Sequence, residues 1–89
     1  YTGGKNINLS TLDNSDYFGS AVSLDGNRIA IGAPLDNGSG NAFNDTGAVY
    51  LYTFSDAAFT GGSLQSTFGA GYTGGKNLNV TLETADWFG

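Results

Sequence analysis

The hexapeptide Tyr-Thr-Gly-Gly-Lys-Asn stands at residues 1–6 and again at residues 72–77. The correspondence runs on: YTGGKNINLSTLDNSDYFG at the start aligns, with one residue dropped, with YTGGKNLNVTLETADWFG at the end. Of 18 aligned positions, 12 are identical. A match of this quality at an offset of about 71 residues is the mark of a tandem repeat, whose units gain stability by stacking on their neighbours. The duplication predicts one complete repeat over residues 1–71 and the opening of the next over residues 72–89. With neither an initiator Met nor a signal-like leader, the sequence reads as an internal excerpt of a longer chain.

What the repeat lacks narrows its chemistry. There is no Cys and no His, so disulfides, thiolate zinc sites, imidazole acid–base catalysis and the Ser-His type of triad are all removed. Lys5, Arg28 and Lys76 face eight acids, a net charge of -5 that repels phosphate backbones. Nucleic acid is not an expected partner. No apolar run approaches the ~20 residues that a membrane-spanning helix needs. Aromatic residues make up 13% of the chain, too many for a disordered linker.

Hydrophobic periodicity is two nearly throughout, the pattern of strands. SAVSL places Val22 and Leu24 on one face, Asp25-Gly26-Asn27 signals a tight hairpin turn, and RIAIGA places Ile29, Ile31 and Ala33 on one face. Pro34 closes that second strand and opens a long polar loop, LDNGSGNAFNDTG. AVYLYTF follows as the strongest strand, with Val49, Leu51 and Thr53 alternating against Ala48, Tyr50, Tyr52 and Phe54. Both of its faces are apolar, which predicts a sheet covered on both sides. SLQSTF makes a fourth strand after the Gly61-Gly62 turn. Both copies of the repeated segment alternate, Ile7 and Leu9 in the first, Leu78, Val80 and Leu82 in the second, predicting a fifth strand or extended connector. TLDNSDYF has room for a single helical turn.

Phe18-Gly19, Gly32-Ala33-Pro34 and Gly47-Ala48-Val49-Tyr50-Leu51-Tyr52 stand in the order and spacing that resembles the FG-GAP repeat, over roughly residues 17–54. That repeat is the blade unit of the β-propellers in integrin α-subunits and of many bacterial surface proteins. Within the family the sequence looks most like the tandem repeats of large bacterial haemagglutinin-like or adhesin-like proteins. The resemblance implies an all-β, four-stranded antiparallel blade, here with a connector strand, stacked on neighbouring repeats in a closed ring or a linear filament. Integrin-type blades often carry a D-x-D-x-D-G calcium loop between their first two strands. Asp25-Gly26-Asn27 holds that place here and supplies too few oxygens, so no metal is carried over.

The motif residues are expected to pack repeats together rather than to do chemistry. Phe18 anchors the start of the first strand, Gly19 lets the backbone pass beside it, and Gly32, Ala33 and Pro34 keep the second strand thin enough for an adjacent sheet. Tyr50 and Tyr52 of the third strand, with Trp87 and Phe88 of the second copy, complete the expected packing set. Several other patterns invite sharper readings. Asp36, Asn41 and Asp45, with Asn37 and Asn44, are the residues that a calcium ion bound by the long loop would use, whereas Asp and Asn in such numbers more often make Asx turns and loop bends. The acid pairs Asp13 with Asp16 and Glu83 with Asp86 have the composition of a glycosidase pair, against which stands a turn cap. Tyr17 and Trp87 correspond across the copies and present either a sugar-stacking platform or a packing surface. GAGYTG at 69–74 is a literal G-x-G-x-x-G, but the KNLNV that follows alternates like a strand where a phosphate loop requires a helix. Four N-x-S/T acceptor patterns begin at Asn8, Asn37, Asn44 and Asn79, a number expected in a chain so rich in Asn and Thr.

The expectation is therefore a non-catalytic structural or adhesive repeat of an extracellular or cell-surface protein, without cofactor, whose partners are other copies of itself. The alternative is a ligand-binding propeller module with calcium or host glycan at its loops. The ordering of the loop at 35–46 separates the two, since a ligand site needs it held in place.

Overall fold

The computed structural model describes residues 3–89; Tyr1 and Thr2, which open the first copy of the repeated segment, lie outside the described residues. Five strands form one sheet in the order of the chain: β1 (Ala21–Asp25), β2 (Arg28–Ala33), β3 (Ala48–Thr53), β4 (Ser63–Gly69) and β5 (Leu78–Asn79). The first four run as an antiparallel meander. β5 lies parallel to β4, so the sheet is mixed.

The expected hairpin is present, with Asp25 opposite Arg28 and Gly26 at φ +59°. A positive φ at the first loop position and not the second suits a type II′ turn, whose twist matches the strands. Pro34 ends β2 as expected, because it has no N–H for a ladder. One irregularity bends the sheet. Leu51 faces Ser66 while Tyr52 faces Leu64, which leaves Gln65 as the extra residue of a β-bulge.

Residues directly opposite each other share a face. One face therefore carries Ile29, Ile31 and Ala33 beside Ala48, Tyr50 and Tyr52, and this is the core: Ala33, Ala48, Tyr50 and Tyr52 are all buried. Its cover is not a second sheet. Ile7, Leu9 and Leu12 of the first copy pack over it as an irregular, extended segment. The other face carries Gly32, Val49 and Phe68 across β2, β3 and β4, and its central Val49 and Leu51 are half-buried. The two-faced apolar pattern of β3 thus reports one closed face and one partly covered face.

The two copies of the repeated segment meet different parts of the sheet, the first its core face and the second the β4 edge. In the second copy Leu78 and Asn79 pair with Phe68 and Gly69, and the Val80 N–H donates to the Gly69 carbonyl at 3.0 Å. Side-chain amides extend this short ladder: Asn77 Oδ1 accepts from the Thr67 N–H at 2.8 Å and Asn79 Oδ1 from the Gly71 N–H at 2.7 Å. The first copy forms no strand over residues 6–10, because the β4 edge is already taken by residues of the second. The expected fifth strand is thus realised by one copy alone. Nor does TLDNSDYF hold a helical turn; it makes hydrogen-bonded turns, and among the described residues the one helical piece is a 3-10 turn at Ser39–Asn41 inside the long loop. Among the described residues no helix is long and apolar enough to cross a membrane.

In the 89-residue chain the amides of Thr67, Gly71 and Val80 should therefore exchange hydrogen at least ~10 times more slowly than those of Asn8, Leu9 and Ser10, as measured residue by residue by NMR. Equal rates would mean that β5 does not pair.

Candidate functional site

The repeated segment keeps one local conformation in both copies. Gly3 and Gly4 have φ of +78° and +54°, and Gly74 and Gly75 have +84° and +53°. Further on, Ser15, Tyr17 and Gly19 at +68°, +57° and +92° match Ala85, Trp87 and Gly89 at +66°, +55° and +95°. The same turn bond closes each Gly-Gly: Asn6 N–H to the Gly3 carbonyl at 3.1 Å, and Asn77 N–H to the Gly74 carbonyl at 3.0 Å. The acid pairs are explained by the same geometry. Asp16 Oδ2 accepts the Asp13 N–H and Asp86 Oδ2 accepts the Glu83 N–H, each at 2.7 Å, which is an Asx-type cap on a turn. Asp16 is buried, and that burial, followed by its acidic neighbours Asp36, Asp13 and Asp45, pushes its carboxyl upward against the opposing pull of the Asp13 N–H.

The surroundings of the two copies differ. The first lies on the core face of its own sheet: the Gly19 N–H donates to the Gly32 carbonyl at 2.9 Å, the Leu35 N–H to the Asp16 carbonyl at 3.2 Å, and the Phe18 ring meets Tyr50 edge-on at 5.7 Å. Between this segment and the sheet runs an apolar cleft of about 340 Å³, lined by Ile7, Leu9, Leu12, Phe18, Ile31 and Tyr52. An added Cβ at Gly19 would meet nothing within 4 Å, so its value here is the left-handed φ, not the close passage expected of it.

The second copy sits along β4 and then against the start of β3. Its Ala85, Trp87 and Phe88 N–H groups donate to the carbonyls of Asn44, Asp45 and Thr46 at 3.3, 3.2 and 2.8 Å, and Phe88 bridges Gly47 in parallel. Close approach is what the glycines under it provide. A Cβ on Gly47 would lie 2.0 Å from the Phe88 carbonyl oxygen, and one on Gly32 would lie 2.2 Å from that of Gly89. No side chain fits at either place. Gly32 thus stands where the chain must be thin, while Ala33 and Pro34 sit at the end of β2, Ala33 in the core. Trp87 is 59% exposed and Tyr17 is 61% exposed, the same aspect in both copies.

The start of the second copy is anchored from inside. Tyr72 donates from its hydroxyl to Asp36 Oδ1 at 3.0 Å, Tyr50 donates to Asp36 Oδ2, and the Gly38 N–H reaches Oδ1 at 2.8 Å. Asp36 is 2% exposed, so its carboxylate is satisfied wholly by these donors. Burial, joined by the Asp36 carboxylate, pushes the Tyr50 hydroxyl well above the ordinary tyrosine range and that of Tyr72 up to about 12. A folded-state pKa above the unfolded value of about 10 means that the neutral hydroxyl stabilises the fold, fully below pH ~10 and progressively less toward pH ~12. Alkaline titration followed by circular dichroism should show stability falling across that window. A Tyr72→Phe chain should lose its share of the dependence.

This arrangement redirects the calcium candidates. Asp36 faces two tyrosines, Asn41 donates its amide to Asp13 Oδ2, and the Asp45 N–H is taken by Asn37 Oδ1 at 2.9 Å. The loop is held by its own hydrogen bonds, including Phe43 N–H to the Asn37 carbonyl at 2.8 Å and Gly47 N–H to the Asp36 carbonyl at 2.9 Å. Its order therefore does not discriminate a ligand site from a structural loop, as the sequence suggested it would. Among the described residues no group of three or more His, Cys, Asp or Glu is placed to hold a metal ion. Melting in a chelator should match melting without it, since a site filled at 100 times its dissociation constant would contribute ~2.7 kcal/mol, an easily measured shift. A drop of several degrees would establish a metal site.

GAGYTG opens no helix: Gly69 ends β4, and Tyr72 turns inward to Asp36. Two features of the site were not drawn from the sequence, the Asp36–Tyr50–Tyr72 triad and the contact of Gly47 with Phe88. The repetition of the Tyr that opens the hexapeptide was the available signal for the first.

These observations define an all-β repeat unit with a connector clipped to its edge. Residues 10–52 match the family model described as FG-GAP repeat, and the chain carries an FG-GAP repeat at that segment. The match spans Phe18-Gly19 and Gly32-Ala33-Pro34 and ends at Tyr52, starting earlier than the 17–54 read from the motifs. No curated protein and no solved structure matches the chain.

Proposed function

We propose that residues 1–71 are one blade-like unit and residues 72–89 the start of the next, in a non-catalytic protein built by stacking such units on one another at the cell surface. The observation that carries this reading is the seat of the second copy. Its Phe88 and Gly89 backbone lies on Gly47 and Gly32, where only glycine leaves room. A repeat that holds the opening of the following repeat by main-chain bonds is a stacking element, and its partners are further copies of itself. Phe18, Ala33, Pro34, Tyr50, Tyr52 and Trp87 then serve packing within and between units. The FG-GAP assignment supports a propeller-type module, and the low lysine content with no cysteine suits an extracellular adhesive or filamentous protein.

Two measurements test it. Antibodies against the 89-residue chain should label intact source cells, and negative-stain images of the full-length protein should show rigid rings or rods. Unlabelled cells would overturn the surface location, and beads on a flexible string would overturn stacking.

A further inference from the structure

We propose that the outer edge of β1 is a docking strand for the β1 of a second copy of this chain, the two strands pairing antiparallel about a two-fold axis at Ser23 so that two sheets become one. The contact goes beyond the stacking reading, because it joins chains side by side at the edge opposite the one that carries β5.

The sheet ends in β5 on one side and in β1 on the other, and among the described residues no strand or bridge pairs with the outer side of β1. All five residues of β1 are exposed. Which groups this edge presents follows from the hairpin. Only Gly26 and Asn27 separate Asp25 from Arg28, so this closing pair exchanges both of its hydrogen bonds, and in alternation so do Ser23 with Ala30 and Ala21 with Gly32. The Gly32 carbonyl accordingly lies on the β1 side, where it also receives the Gly19 N–H at 2.9 Å. The N–H and carbonyl groups of Val22 and Leu24 therefore point away from the sheet, an unpaired row of the kind that templates another strand. The usual guards against such pairing are missing: β1 has neither Lys nor Pro, and its register with β2 is unbroken by a bulge.

A second β1 complements this edge in backbone, charge and side chains. Antiparallel pairing centred on Ser23 sets Val22 of each chain against Leu24 of the other as the hydrogen-bonded pairs, which satisfies every outward group of both residues. Ala21 then falls opposite Asp25, so that no acid faces an acid although each chain carries a net charge of -5. The side chains of Val22 and Leu24 stand across from Ile31 and Ile29 on the core face, and they are 58% and 53% exposed. In the pair they close on each other and make one apolar row from the Ile29 and Ile31 of one chain to those of the other. A single contact of this size belongs with transient encounters, and a protein that presents β1 once in each repeat adds many of them in parallel.

The 89-residue chain tests this, by residue-resolved amide exchange and sedimentation equilibrium at two concentrations. At ~1 mM, where a millimolar contact is half formed, the Val22 and Leu24 amides should exchange at least ~2-fold more slowly than at ~10 μM, while those of Asn8 and Ser10, off the sheet, should not change. Ser23→Lys sets like charges directly opposite each other across the axis and should abolish the concentration dependence, as should Ser23→Glu. A 1:1 mixture of the two variants should restore it. A native chain that stays monomeric at ~1 mM with unchanged Val22 and Leu24 exchange overturns the proposal. So does self-association that Ser23→Lys leaves intact, which would place the contact elsewhere on the chain. Either result leaves the stacking reading standing, since that rests on the seat over Gly32 and Gly47.

Discussion

Replacing Asp36 with alanine is expected to destabilise the chain by about 3–9 kcal/mol, because it strips the acceptor from three donors at once, each costing about 1–3 kcal/mol when left buried and unpaired. Those donors are the Tyr50 and Tyr72 hydroxyls and the Gly38 N–H. Water does not reach Asp36 to replace them, since the residue is 2% exposed. Tyr72→Phe removes one donor and leaves the carboxylate two, so its cost should be about 1–3 kcal/mol. A double-mutant cycle between the two, by urea unfolding, should give a coupling well above the ~0.5 kcal/mol that independent sites show. A cost under 1 kcal/mol for Asp36→Ala would mean that the carboxylate is solvated and the loop is not organised around it. The structural consequence reaches the repeat junction, because Tyr72 opens the second copy and ties it to the loop that precedes β3.

Gly47→Ala should be the most damaging of the glycine changes. The residue has φ +88°, and its added Cβ would sit 2.0 Å from the Phe88 carbonyl oxygen and 2.4 Å from the Phe88 nitrogen, both backbone atoms that no rotamer change relieves. Gly19→Ala is the matched control: φ is +92°, and nothing lies within 4 Å of the new Cβ. Both variants carry the backbone strain of about 1–3 kcal/mol, and Gly47→Ala alone adds overpacking of about 1–3 kcal/mol. For a chain of this size each kcal/mol moves the melting temperature by about 4–8 °C, so the two variants should be clearly separated. The Trp87 and Phe88 amides, bonded to Asp45 and Thr46, should lose hydrogen-exchange protection in Gly47→Ala and keep it in Gly19→Ala. Equal melting shifts with protection retained would show that the second copy does not press on β3.

Local pattern made much of this fold legible. The β1–β2 hairpin is written in alternation around Asp-Gly-Asn, and β3 in the run AVYLYTF, six of whose seven positions are apolar or aromatic, because both signals depend on neighbours in sequence. The connector was only half legible, for a physical reason. Ile7-Asn8-Leu9 and Leu78-Asn79-Val80 have the same period, but a strand exists only where an edge is available, and β4 offers one edge. Asp36 was harder still. Its place in an Asp- and Asn-rich loop suggested Asx turns or a cation, and the Gly38 N–H makes such a turn bond, but its two tyrosine donors come from residues 14 and 36 positions away, a distance that no local motif encodes. Gly19 and Gly32 looked alike in the motif and differ in kind, one needed for its φ and the other for the space above it.

The most direct test of the account is hydrogen exchange at residues 7–10 in the full-length protein, where the proposed stacking of repeats would set another β4 beside this segment. In the 89-residue chain those amides are expected to exchange quickly. In the full-length protein they should become as protected as residues 77–81, because each copy then lies on the edge of the unit before it. Exchange in the full-length protein as fast as in the exposed turn at 56–60 would contradict the account, leaving the repeated segment as a tether between independent units.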